Sequence, residues 1–254
     1  MRAILPVIPL LLLCVLPLHG CRFRSGAPAG QQTAVSCTEA PVPSDFAPGS
    51  EVPQEILQSL GADVFFVTDT IPDPVFARME GVSWKPGCPV ARRDLRYLRV
   101  LHRDAAGRVL VGEMVCAASV SEDLQEIFRS LFDASWPIES MRLIDDYGGD
   151  DDASMRSNNT TCFNYRPKTG QQALSRHAYG TAVDINPLYN PYVRQLADGS
   201  MRVEPEEGRR YADRNVPSPY RIERSDLCHS LFRARGFSWG GMWRSCRDYQ
   251  HFER

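Results

Sequence analysis

Two segments carry the residues able to do chemistry: Ser175-Arg-His177-Ala-Tyr-Gly180-Thr-Ala182-Val-Asp184 and, near the C-terminal end, Asp248-Tyr-Gln-His251. Together they offer two imidazoles, one carboxylate placed to ligate a metal, and a second carboxylate three residues from a ligand. That is the inventory of a hydrolytic zinc site, with three protein donors, an open position for water and a general base beside it. His177, Asp184 and His251 are the candidate ligands, and Asp248 is the candidate base. Two His and one Asp also accept other divalent ions. The remaining histidines of the body, His102 and His229, fall on a hairpin and in a helix and read as structural.

The elements that must position these groups follow from the pattern. Gly180 breaks the chain, and residues 181–185 read as a strand with Val183 and Ile185 toward the core and Asp184 on the other face. Asp248 and His251, three apart, read as sharing a face of a helical turn. Residues 95–116 read as a hairpin around Asp104-Ala-Ala-Gly107. Leu124, Ile127, Phe128, Leu131 and Phe132 form one helical stripe, and Ser119 with Glu122 reads as its capping box. Residues 141–144 read as a strand and 145–152 as a solvated acidic turn, preferred over a calcium loop because EF-hand spacing is absent. A last helix over 226–235, with Ser225 as cap and Gly236 as stop, would bury Leu227, Leu231 and Phe232. The long segment 187–220 between the two metal segments is a candidate groove wall.

The chain has 254 residues and a formal net charge of −2. It carries no basic field for phosphates, which argues against a nucleic-acid partner. An apolar run over 4–18, broken by Pro6, Pro9 and Pro17, reads with its flanks as a signal peptide over 1–20. It ends Leu18-His19-Gly20-Cys21, similar to a bacterial lipobox with Cys21 as lipid anchor. Residues 21–50 read as a flexible tether and 51–254 as the catalytic body with an N-terminal extension. Beyond Cys14 and Cys21 stand Cys37, Cys88, Cys116, Cys162, Cys228 and Cys246, an even number suited to disulfides in an oxidising compartment. Cys228 with Cys246 is the expected pair, because they flank the last helix and the final metal segment.

The metal segments, together with Trp239-Gly-Gly-x-Trp243, Asp248-Tyr-Gln-His251-Phe252, the stretch from Asn158 to Arg166 and Asp184-Ile-Asn-Pro187, resemble the M15 zinc metallopeptidases. The nearest branch is related to L-alanyl-D-glutamate peptidases and D-alanyl-D-alanine carboxypeptidases. The resemblance implies an α+β fold, with a small antiparallel sheet carrying the zinc and helices packed on one side, as in hedgehog domains and D-Ala-D-Ala peptidases. It implies Zn2+ on His177, Asp184 and His251, with Asp248 as general base and acid. Arg166 would stand near the attacked carbonyl, its plain alternative being a structural ion pair. Ser175 and Tyr179 are candidate substrate contacts, and Trp239 and Trp243 read as packing near the site. The implied substrate is the stem peptide of bacterial peptidoglycan, cut at a terminal D-Ala or at L-Ala–D-Glu, and the implied location is the cell envelope. The alternative is a zinc-containing lipoprotein that holds peptidoglycan without cutting it. Many relatives carry glutamate where this chain has Asp248, and Tyr165 stands where they often place cysteine.

Overall fold

Apolar residues in the middle of the chain build the platform that everything else rests on. In the computed structural model, which describes residues 43–168 and 172–254, β1 (Val67–Asp69), β2 (Leu95–Arg103) and β3 (Val109–Ala117) form an antiparallel sheet in that order. The β2–β3 hairpin runs in register from Leu95↔Ala117 to Arg103↔Val109. Asp104 closes its turn by accepting the amides of Ala106 and Arg108. Every residue of β3 is buried, so the strand is covered on both faces. The signal peptide, Cys21, Cys37 and most of the expected tether lie outside the described residues. Residues 43–50, also expected as tether, instead lie against the sheet: the amide of Gly49 donates to Val111, and Arg142 reaches the carbonyl of Pro48.

Two short helices, α1 (Gln54–Leu60) and α2 (Asp73–Met79), flank this sheet, and α3 (Ala118–Asp133) leaves the end of β3 directly. Leu124, Ile127, Phe128, Leu131 and Phe132 of α3 are buried as the stripe required. Each such side chain contributes about 1.5–3 kcal/mol by leaving water. The capping box is not formed. The helix begins at Ala118, one residue before Ser119, and Ala117 at its start offers no side-chain cap. The Ala117 amide instead donates to the carbonyl of Gly180, so a tertiary contact fixes where the helix starts.

The expected strand 141–144 is shorter. β4 (Ser140–Met141) gives way to a 3-10 turn at Ile144–Tyr147, followed by α4 (Asp151–Arg156), capped by Asp150. The acidic run is therefore not a free turn. Asp145 accepts the Ser83 amide, and Asp146 is bridged by Arg78 and Arg142. β5 (Asn159–Thr160) pairs in parallel with β4.

The C-terminal part adds two small antiparallel sheets. β6 (Ala182–Asp184) pairs with the final strand β11 (His251–Glu253), which also pairs with β9 (Ser238–Trp239). The segment 187–220 contains a hairpin, β7 (Tyr192–Gln195) and β8 (Met201–Glu204), and β10 (Arg247–Asp248) pairs with β7. Between them α5 (Leu227–Ala234) is capped by Asp226, whose carboxylate accepts the His229 amide, and not by Ser225. The helix consequently buries Cys228 and Phe232 and leaves Leu227 exposed. The fold is thus α+β, with small antiparallel sheets and a few helices.

Cys88, Cys116, Cys162, Cys228 and Cys246 are free thiols, and the expected Cys228–Cys246 bridge is not made. Cys228 points into the core from α5, whereas Cys246 lies beside the Tyr192 hydroxyl on the wall of a cavity.

Candidate metal centre

His177 sits in a one-turn 3-10 segment, Arg176–Tyr179, opened by the Ser175 hydroxyl, which accepts the His177 amide. Gly180 closes the turn in the left-handed region at φ 68°, and a Cβ there would lie 2.6 Å from the Ala117 amide nitrogen. His177 Nδ1 is 2.6 Å from the carbonyl of Cys162. A carbonyl only accepts, so Nδ1 holds the proton and Nε2 presents its lone pair.

Asp184 ends β6, and its register partner on β11 is His251, so backbone pairing brings two residues distant in sequence side by side. Asp184 Oδ2 is 3.1 Å from His177 Nε2, and Oδ1 is 2.9 Å from His251 Nδ1. The two ring nitrogens are 3.3 Å apart. His251 Nε2 faces Glu253 Oε2 at 3.2 Å, two residues along the strand and on the same face. That carboxylate accepts the Nε2 proton, which leaves Nδ1 as the nitrogen for a metal; without an ion Nδ1 donates to Asp184, and metal binding would displace that proton.

The three donors fit a divalent ion. Their ligand atoms all lie within 4.8 Å of one another. A tetrahedral zinc with ligands at about 2.0–2.1 Å needs donor separations of about 3.3 Å, close to those observed. Each imidazole also has the outer hydrogen-bond partner that metal-binding histidines normally carry, a carbonyl for His177 and a carboxylate for His251.

Charge is concentrated accordingly. Burial alone would raise the Asp184 carboxyl, but His177 and His251 hold it well below the usual carboxylate range. Burial would lower His251, yet hydrogen bonds to Asp184 and Glu253 lift it to about 10. Asp248 behaves oppositely. Burial, reinforced by Asp184, pushes it up to about 7 against the pull of His251 and His177. Its Oδ1 is buried with no hydrogen-bond partner.

The expected helical turn joining Asp248 to His251 is not there. Asp248 belongs to β10, opposite Tyr192 on β7, while His251 belongs to β11 in another sheet. Tyr249 and Gln250 make the step between sheets, held by the Ile185 amide on the Gln250 carbonyl and the Trp239 indole on the Tyr249 carbonyl. Gly240 makes the corner fit, because a Cβ there would stand 2.8 Å from the Asp248 Cβ.

His177, Asp184, His251 and Asp248 line one cavity of about 510 Å³, together with Ser175 and Arg166. Arg166 is ion-paired with Asp151, at the start of α4, and Asp151 also accepts from the Asn164 amide group. Tyr179 is exposed and is not among the lining residues. Trp239 packs in the core as expected, but Trp243 lines the cavity with its ring 5.3 Å from that of His251. His102 and His229 lie elsewhere: His102 is hydrogen-bonded to Ile138, and His229 accepts the Ser225 amide against Trp239. The sequence reading missed Glu253, Asp151 and the arginines of the β7–β8 hairpin. For Glu253 a signal was present, since a carboxylate two residues from a ligand on a strand shares its face.

An α+β scaffold presenting His, Asp and His with a further carboxylate in the same cavity defines a candidate metal-dependent hydrolase. Residues 169–254 match the family model Peptidase_M15_4, described as D-alanyl-D-alanine carboxypeptidase, which supports placing the chain among the M15 peptidases. The matched segment includes Ser175, His177, Asp184, Asp248 and His251 and leaves Arg166 outside it. No curated protein and no solved structure matches the chain.

Proposed function

We propose that this protein is a zinc-dependent peptidase that hydrolyses stem peptides of bacterial peptidoglycan, as a D-alanyl-D-alanine carboxypeptidase or an L-Ala–D-Glu endopeptidase. The observation that carries the reading is Asp248, a half-buried carboxylate whose Oδ1 is shielded and unpartnered, in the same cavity as the His177–Asp184–His251 donor set. A pure binding protein has no use for that carboxylate, and leaving it unpaired costs stability.

When bound, zinc supplies Lewis-acid polarisation of the scissile carbonyl and of water. Asp248 takes the proton as water attacks and returns it to the leaving amine, from its place in the same cavity as the donor set. Arg166, oriented by Asp151, offers its guanidinium to the carbonyl oxygen as charge develops there; one good donor of this kind is worth about 3 kcal/mol. Ser175 holds the turn that carries His177. The hedgehog-like arrangement of sheet and helices belongs to the same proposal, as does export through residues 1–20 with a lipid on Cys21.

The test is mass spectrometry of peptidoglycan fragments incubated with zinc-loaded protein, alongside His251→Ala and Asp248→Asn variants. A defined mass loss with the native chain identifies the bond. Asp248→Asn should keep its zinc and lose activity by about 10²–10⁴-fold. Full activity of that variant would refute the assignment of the base.

A further inference from the structure

The β7–β8 hairpin places two arginines, Arg194 and Arg202, directly opposite each other across an antiparallel pair, and both line the cavity. Like charges in that relation oppose strand pairing. Glu204 ion-pairs with Arg202 alone. Arg194 interacts with the Tyr192 hydroxyl, and among the described residues no carboxylate lies within ion-pair distance of it. Two further cations, Lys168 and Arg176, line the same cavity. The carboxylate on which their charge bears, Glu253, is already engaged by His251. The remaining cavity cation, Arg166, is taken by Asp151. Among the described residues, Lys168, Arg176 and Arg194 thus have no carboxylate within ion-pair distance, and Arg194 stands on the hairpin wall, outside the donor set.

Resting on the peptidase reading above, we infer that this wall selects substrates by a free carboxylate close to the scissile bond, with Arg194 its principal contact. Arginine suits the task because its planar fork binds a carboxylate through two parallel hydrogen bonds. A stem peptide offers that chemistry from two sources, the α-carboxylate of its γ-linked D-Glu and its C-terminal carboxylate.

Three synthetic pentapeptides, L-Ala-γ-D-Glu-L-Lys-D-Ala-D-Ala, separate the sources: the free acid, the C-terminal carboxamide and the D-Glu α-carboxamide. Cleavage by the zinc-loaded native chain should fall about tenfold in kcat/KM for one carboxamide, and that peptide names the source. Arg194→Ala should cost the free acid a similar factor, chiefly through KM. It should leave the affected carboxamide and the zinc affinity unchanged, and Arg194→Lys should recover part of the loss. Equal cleavage of all three peptides by the native chain, or an Arg194→Ala protein with native preferences, overturns the inference while leaving the peptidase intact. A zinc-loaded native chain that cuts none of them overturns the peptidase reading and this inference with it.

Discussion

His251 has both ring nitrogens committed, Nδ1 toward Asp184 and His177, and Nε2 toward Glu253. Without an acceptor at Nε2 the ring is free to hold its proton on either nitrogen, and the lone pair is no longer aimed. Glu253 is only half-buried and its side chain carries no core packing, so removing it separates ligand orientation from folding. Glu253→Ala is expected to weaken zinc binding by about 10–100-fold, read by competition with a chromogenic chelator at fixed pH. Glu253→Gln keeps an acceptor oxygen and should lose less. Equal zinc affinity in the native chain and both variants would mean that Asp184 alone sets the ring. Glu253 and Asp248 thus act on different observables, the first on metal affinity and the second on turnover with the metal retained.

At the scale of elements, the site depends on two corners, Gly180 before β6 and the step from β10 to β11. Gly180 combines a positive φ with a backbone neighbour that cannot give way, since the Ala117 amide is itself bonded to the Gly180 carbonyl. Gly180→Ala should cost about 2 kcal/mol or more, seen as a lower urea midpoint, and should weaken zinc binding because the turn carries His177. A midpoint within error of the native chain would show that the turn relaxes without loss. This first corner was legible in the sequence because it is local: a turn glycine, then apolar residues on alternate positions ending in Asp184. The second was not. A spacing of three suits a helical turn as well as two short strands with a bend, and only the pairings Asp248↔Tyr192 and His251↔Asp184 decide between them. The α3 stripe was legible for the same local reason, whereas its start was fixed by Gly180, far away in the chain. Asp151 escaped notice because a run of carboxylates reads as solvated until the arginine that meets one of them is placed.

Across the whole molecule, packing is reported by His102, which does not line the cavity. It lies on β2 with Nδ1 donating to the carbonyl of Ile138 at 2.8 Å, so it ties the hairpin to the segment that leads into β4. Its Nε2 is buried without a partner, and the nearby Asp104 is occupied by Arg108. Burial lowers its pKa from 6.5 to about 4, against the raising influence of Ile138 and Asp104. The sign follows directly. Between pH 6.5 and 4 the unfolded chain binds a proton here that the folded chain refuses, so stability falls as pH falls through that interval. The full difference corresponds to about 3 kcal/mol. Asp104 and Asp146, held low by arginines, lose their contribution only at lower pH. Asp145 and Asp226, raised by burial, take up protons in the folded state and partly offset the loss. His102→Gln keeps a donor for Ile138 and does not titrate, so subtracting its urea-unfolding free energy from that of the native chain cancels the other groups. That difference, measured in chelator at pH 7.5 and 4.5, should shift by about 2–3 kcal/mol against the native chain at the lower pH. A difference that does not change with pH would mean that the ring accepts its proton within the fold, and that the junction between the hairpin and the 136–138 segment opens to water without global unfolding.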